Sequence, residues 1–111
     1  MSRKVVLHEF ASARSGDKGV DANVGVWVRS DAAYQVLLEQ LTPDVVKRHF
    51  AVYCRGGVVR HELPNLRALN FILSDALDGG GAASLRTDAQ GKTLGLGMLA
   101  IAVDVPDDIE L

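Results

Sequence analysis

Strand, strand, helix, strand, helix, strand is the element order that the sequence predicts, an α+β fold with helices on one face of a mainly antiparallel sheet. Three observations carry it. The stretch "ANVGVWVR", residues 22–29, alternates side-chain character with the period of a half-buried strand. The stretch "SDAAYQVLLEQL" instead repeats its apolar residues at helical spacing. Gly56, Gly57, Pro64 and the glycines at 79–81 then divide the chain into short segments.

Taken in order, "KVVLHEFA" (4–11) is rich in β-branched residues and short enough for a strand. "RSGDKGVDANVG" (14–25) then joins it to the next strand, with Gly16 and Gly19 able to take positive φ. In residues 22–29, Val24, Val26 and Val28 share one face, and Asn23, Gly25, Trp27 and Arg29 share the other. Ser30 can cap a helix that Asp31 suits electrostatically, with Tyr34, Leu37, Leu38 and Leu41 as its apolar stripe. Thr42, Pro43 and Asp44 restart the same logic, so a broken pair of helices is expected over about 31–50. "AVYCRGGVVRHEL" reads as a strand interrupted by Gly56 and Gly57 and ended by Pro64. "NLRALNFILSDAL" reads as a helix capped by Asn65, with Leu66, Leu69, Leu73 and Leu77 on one face and Gly79 as the stop. Near the end, "SLRTD" is a short strand, "AQGK" a turn, "TLGLGML" a weak helix or a strand, and "AIAVDV" a terminal strand. Gly95 and Gly97 each lower the helical case by about 1 kcal/mol relative to alanine.

A chain of 111 residues suits one domain, 1–111, with a single core. Its 12 basic and 14 acidic residues, net charge of -2 and few aromatics disfavour nucleic acid, which needs grouped cations or stacking platforms. The one cysteine, Cys54, excludes an internal disulfide and a multi-cysteine metal site, and fits a reducing, cytoplasmic setting. The N-terminus lacks the apolar run of a signal peptide, and no stretch is apolar enough for a membrane span.

Three stretches carry chemistry. In the first, Arg14 and Lys18 flank glycines whose backbone N–H groups could form an anion-binding concavity. The spacing matches neither the G-x-x-x-x-G-K-[ST] phosphate loop nor G-x-G-x-x-G. The plain alternative is a polar hairpin connection. Asn23 and Gly25 extend the polar surface along their strand face. In the second, "RHELPNLRALN", Asn65 suits a helix cap, whereas Asn70 sits near the apolar stripe and needs partners, structural or in a pocket. His61 and Glu62, as strand neighbours, point to opposite faces and make a poor acid–base dyad. In the third, "SLRTDAQGK", Arg86 or Lys92 could meet an anion, or the segment is a surface hairpin. No two histidines have helical metal-ligand spacing, and no catalytic triad can be assembled.

Together "ARSGDKGVDANVGV", "ELPNLRALNFIL" and "SLRTDAQGKTLG" resemble, in residues and spacing, the ferredoxin-fold domain of the AtuA family, named for acyclic terpene utilisation. The resemblance covers most of the chain and implies a ferredoxin-like α/β sandwich. It matches the separate small-protein form that accompanies a larger AtuA-type protein. The implied context is catabolism of branched or terpenoid acids as coenzyme A thioesters; no cofactor or metal is expected, coenzyme A entering only as part of a substrate. Arg14, Ser15, Gly16, Asp17, Lys18, Gly19, Asn23, Asn65, Asn70 and Arg86 fall on family motif positions. The family carries an acid directly after GDKG, whereas here Val20 intervenes before Asp21.

Two functions follow as expectations. In the first, the chain is a small subunit of a larger AtuA-like protein; the GDKG loop binds an acyl-CoA or other anionic metabolite through backbone N–H groups and Lys18. Asp17 orients Lys18 or transfers a proton. In the second, it is a noncatalytic interaction domain whose loop is an interface element. A homo-oligomer is compatible with either, and turnover by the chain alone is not expected.

Overall fold

The computed structural model describes residues 2–18, 21–51, 56–74, 95 and 97–111, with Asp17 and Lys18 described by their backbone alone. Strands β1 (Ser2–Val6), β2 (Ser12–Lys18) and β3 (Asp21–Trp27) are followed by helices α1 (Asp31–Gln40) and α2 (Pro43–His49). Strands β4 (Val58–Leu63), β5 (Ala68–Leu73) and β6 (Ala102–Pro106) complete the described elements. β2, β3, β5 and β4 form one antiparallel sheet in that order, and β1 pairs with β6 in a second, two-stranded sheet. The architecture is α+β, as the element order leads one to expect, and ferredoxin-like, as the resemblance implies.

Alternation decides what each face of the larger sheet does. Ala22, Val24 and Val26 of β3 and Leu69, Phe71 and Leu73 of β5 point inward and are buried. Helix residues Ala33, Tyr34, Val36, Leu37 and Val46 close over them together with Phe50 just past α2, and β6 adds Val103 and Val105 to the same core. The helices start where local chemistry dictates: Ser30 Oγ accepts from Ala33 N at 3.1 Å, and Thr42 Oγ1 accepts from Val45 N at 3.3 Å, with Pro43 at the first position.

Arg60 joins the two layers. Its guanidinium donates to Leu38 O at 2.9 Å and Leu41 O at 3.2 Å, satisfying carbonyls at the C-terminal end of α1, and also reaches Glu62 at 3.1 Å. A second arginine turns the corner into β5. Arg67 is left-handed (φ 49°) after the 3-10 turn Pro64–Leu66. It accepts from Val28 N at 3.0 Å and donates from Nε to Asp31 at 2.7 Å.

Three sequence expectations are corrected. Residues 68–73 of "NLRALNFILSDAL" are a strand, and Asn65 sits exposed in a 3-10 turn instead of capping a helix. Leu69 and Leu73 fit both periods, but Asn70 and Ile72 alternate with Leu69, Phe71 and Leu73, and pairing to strands on both sides settles the conformation. The opening motif, moreover, is mostly strand: Gly16, Asp17 and Lys18 pair with Asn23, Ala22 and Asp21. The strand expected over 4–11 breaks into β1 and a 3-10 turn at Leu7–Glu9. Within "TLGLGML", Leu99 N donates to Gly95 O at 3.2 Å in a helical turn. Residues 52–55, including Cys54, and the segments expected over 75–94 lie outside the described residues.

Candidate functional site

The sheet face turned away from the helices gathers the candidate residues. β-Pairing aligns them in rows across the four strands. One row runs Ser12, Trp27, Ala68, Leu63; the next runs Arg14, Gly25, Asn70, His61; a third runs Gly16, Asn23, Ile72, Val59. The middle row is polar, and the rows beside it carry the exposed apolar side chains Trp27 (41% exposed), Leu63 (40%) and Val59 (51%). Asn23 and Asn70, diagonal neighbours on adjacent strands, are joined by a hydrogen bond from Asn23 Nδ2 to Asn70 Oδ1 at 3.4 Å. Gly16 lies beneath that pair: a Cβ there would touch Asn23 Oδ1 at 3.4 Å.

Arg14, Gly16, Asn23 and Asn70 are therefore brought together. Other expected site residues are not. Ser15 faces the helix side, where its hydroxyl accepts from Gly95 N at 3.0 Å. Asn65 is in the turn that precedes β5. Gly19 and Arg86 lie outside the described residues, as does Lys92. Gly16 shows no positive φ, and residues 16–18 sit in a ladder, so the backbone concavity expected of a glycine turn is not formed by them.

His61 joins this face, although the sequence sets it only against Glu62, which turns away toward Arg60. Its true neighbour is Asn70, directly across the β4–β5 ladder. Only register reveals this, and register is a long-range property. Neither the Arg14 nor the His61 side chain makes a hydrogen bond or ion pair with the described residues, so both are available to a ligand.

Beside this face, Trp27 also lines a groove of about 370 Å³ with His8, Phe10, Ser12, Arg29 and Ser30. Among the described residues no group of three His, Cys, Asp or Glu side chains could hold a metal. No described helix is long and apolar enough to cross a membrane. Chemically, the face offers a guanidinium, two carboxamides and an imidazole beside an indole, a set suited to holding an anionic or carbonyl oxygen next to an apolar body.

No curated protein and no solved structure matches the chain. The family model for the AtuA ferredoxin-like domain matches residues 5–104. With that match covering most of the chain and reaching into every described strand and helix, the chain belongs to the AtuA ferredoxin-like domain family.

Proposed function

We propose that this chain is a small subunit or accessory domain of a larger AtuA-like protein in the catabolism of branched or terpenoid acyl-CoA compounds, and that its open sheet face receives the anionic part of the substrate. The supporting observation is the assembly of Arg14, Asn23 and Asn70 on one face, around two glycines. A guanidinium gives charge-assisted hydrogen bonds to anionic oxygen, and carboxamide N–H groups add directional ones. Lys18, at the end of β2, adds positive charge at the GDKG segment, and Asp17 orients Lys18 or moves a proton. The larger protein supplies the remaining catalytic groups.

The test is co-expression with the larger AtuA-like protein, co-purification, and assay of the assembled complex carrying Lys18→Ala or Asp17→Asn. Loss of acyl-CoA turnover in either is expected. Unchanged turnover in both removes the chemical role of the GDKG segment.

A second reading rests on Trp27, Val59 and Leu63, whose exposure on the same face suits a protein partner. Here the domain is noncatalytic, and the face is an interface. Calorimetry separates the two: partner binding indifferent to added acyl-CoA supports the second reading, and binding that changes with it supports the first.

A further inference from the structure

Gly25 is a gap with four walls. Arg14 flanks it on β2 and Asn70 on β5, while Asn23 and Trp27 precede and follow it on the same face of β3. The result is a slot one side chain deep, floored by the backbone of Gly25. Crowding does not account for the glycine. A Cβ at this position would meet only Arg14 O, at 3.8 Å, and the backbone is not in the positive-φ region. At Gly56, by contrast, an added Cβ would stand 2.7 Å from Ser74. A glycine weakens a strand interior, and one explanation for keeping it is the close approach of a ligand to the backbone.

The walls specify what fits. The Arg14 guanidinium and the Asn70 Nδ2 are donors without partners among the described residues. Asp21, the acid at the far end of the same face of β3, is already engaged. Arg14 and Asn70 stand two strand spacings apart, about 10 Å between backbones, which leaves room for one planar anion bonded from both sides. The walls carry a single positive charge, which matches a carboxylate better than a phosphate dianion. Trp27 offers an apolar surface on one side, leading toward the groove it also lines.

We propose that this slot binds the carboxylate of a small acid with an apolar body: its oxygens accept from Arg14 and Asn70 above Gly25, and its body lies on the Trp27 indole. This deepens the anion-site reading above and rests on it.

Trp27 is the only tryptophan, so its fluorescence reports from the slot wall. The full chain is titrated with hexanoate, hexan-1-ol and inorganic phosphate. Hexanoate is expected to give a saturable change, and the other two a response at least about tenfold weaker. Gly25→Val fills the slot and should abolish the hexanoate response while keeping or raising the unfolding midpoint. Arg14→Gln should weaken binding by about tenfold or more, as loss of a charged donor does. Should Gly25→Val not fold, Gly25→Ala, whose lone methyl has clearance, is read in the same way. Wild-type hexanoate affinity in the slot-filled variant that folds overturns the proposal. So does hexan-1-ol or phosphate matching hexanoate, or no saturable response to hexanoate. Failed co-purification with the larger protein, beside an intact hexanoate response, would instead count against the subunit reading alone.

Discussion

Replacing Asn23 and Asn70 separately and together by alanine separates a ligand-facing pair from a structural clasp. Their only direct link is one neutral hydrogen bond of 3.4 Å between half-buried groups. That length is at the weak end of the range, so a net contribution of about 0.5 kcal/mol is expected, against about 1 kcal/mol for a well-formed bond. Each alanine also changes strand propensity, by up to about 1 kcal/mol. A double-mutant cycle cancels that part and isolates the coupling between the two carboxamides. Urea unfolding of the four proteins should give a coupling near 0.5 kcal/mol, worth about 2–4 °C in a domain of this size. Hexanoate affinity should nevertheless fall in both single variants. A coupling of about 1.5 kcal/mol or more, without loss of affinity, would show that the pair clasps β3 to β5 and that the slot loses two of its walls as binding groups.

Three further outcomes test the scaffold. Arg60→Met keeps the apolar stem but leaves Leu38 O and Leu41 O without their charged donor, beneath a side chain only 16% exposed; urea unfolding should show a loss of about 2–4 kcal/mol, part of which Arg60→Lys restores. Gly56→Ala places a methyl 2.7 Å from Ser74 and should cost about 1–3 kcal/mol in thermal unfolding. Gly57→Ala, which meets nothing within 4 Å, should be close to neutral. Burial raises the Tyr34 phenol above its ordinary value of 10.0, and the nearby Glu62 carboxylate adds to the rise. The folded state thus keeps a proton that the unfolded chain gives up: this contribution is fully present below pH 10 and is lost as pH rises through the folded value. Urea midpoints at pH 8 and pH 11 should therefore fall further in the wild type than in Tyr34→Phe.

Local chemistry was legible where it acts over a few residues. Ser30, Thr42 and Pro43 announced both helices, because capping needs only the first turn. The alternation in residues 22–29 correctly separated the buried valines from Asn23, Gly25 and Trp27. The reading failed where two periods fit the same leucines. Leu66, Leu69 and Leu73 make a plausible helical stripe, and nothing local reveals that β3 and β4 will claim residues 68–73 from both sides. The same long-range pairing hid the site. Arg14, Gly25, Asn70 and His61 are scattered along the chain and become one row only through the register of three ladders. Gly16, which the sequence offers as a turn former, instead lies in the ladder beside the Asn23 carboxamide, and Gly25, correctly placed on the strand face, is open floor.

The close approach of Gly95 to β2 bears on the exposed edge of the larger sheet. Among the described strands, β2 is at one edge of its sheet, and an uncovered edge invites a strand from another molecule to continue the ladder. Residue 95 stands against that strand so tightly that a methyl there would lie 3.4 Å from Ser15 N, while its own N–H is bonded to the Ser15 hydroxyl. His49 helps hold this turn, with Nε2 at 2.8 Å from Gly97 O. That contact occupies part of the edge strand at Ser15, so a methyl at position 95 would have to displace either the turn or the strand.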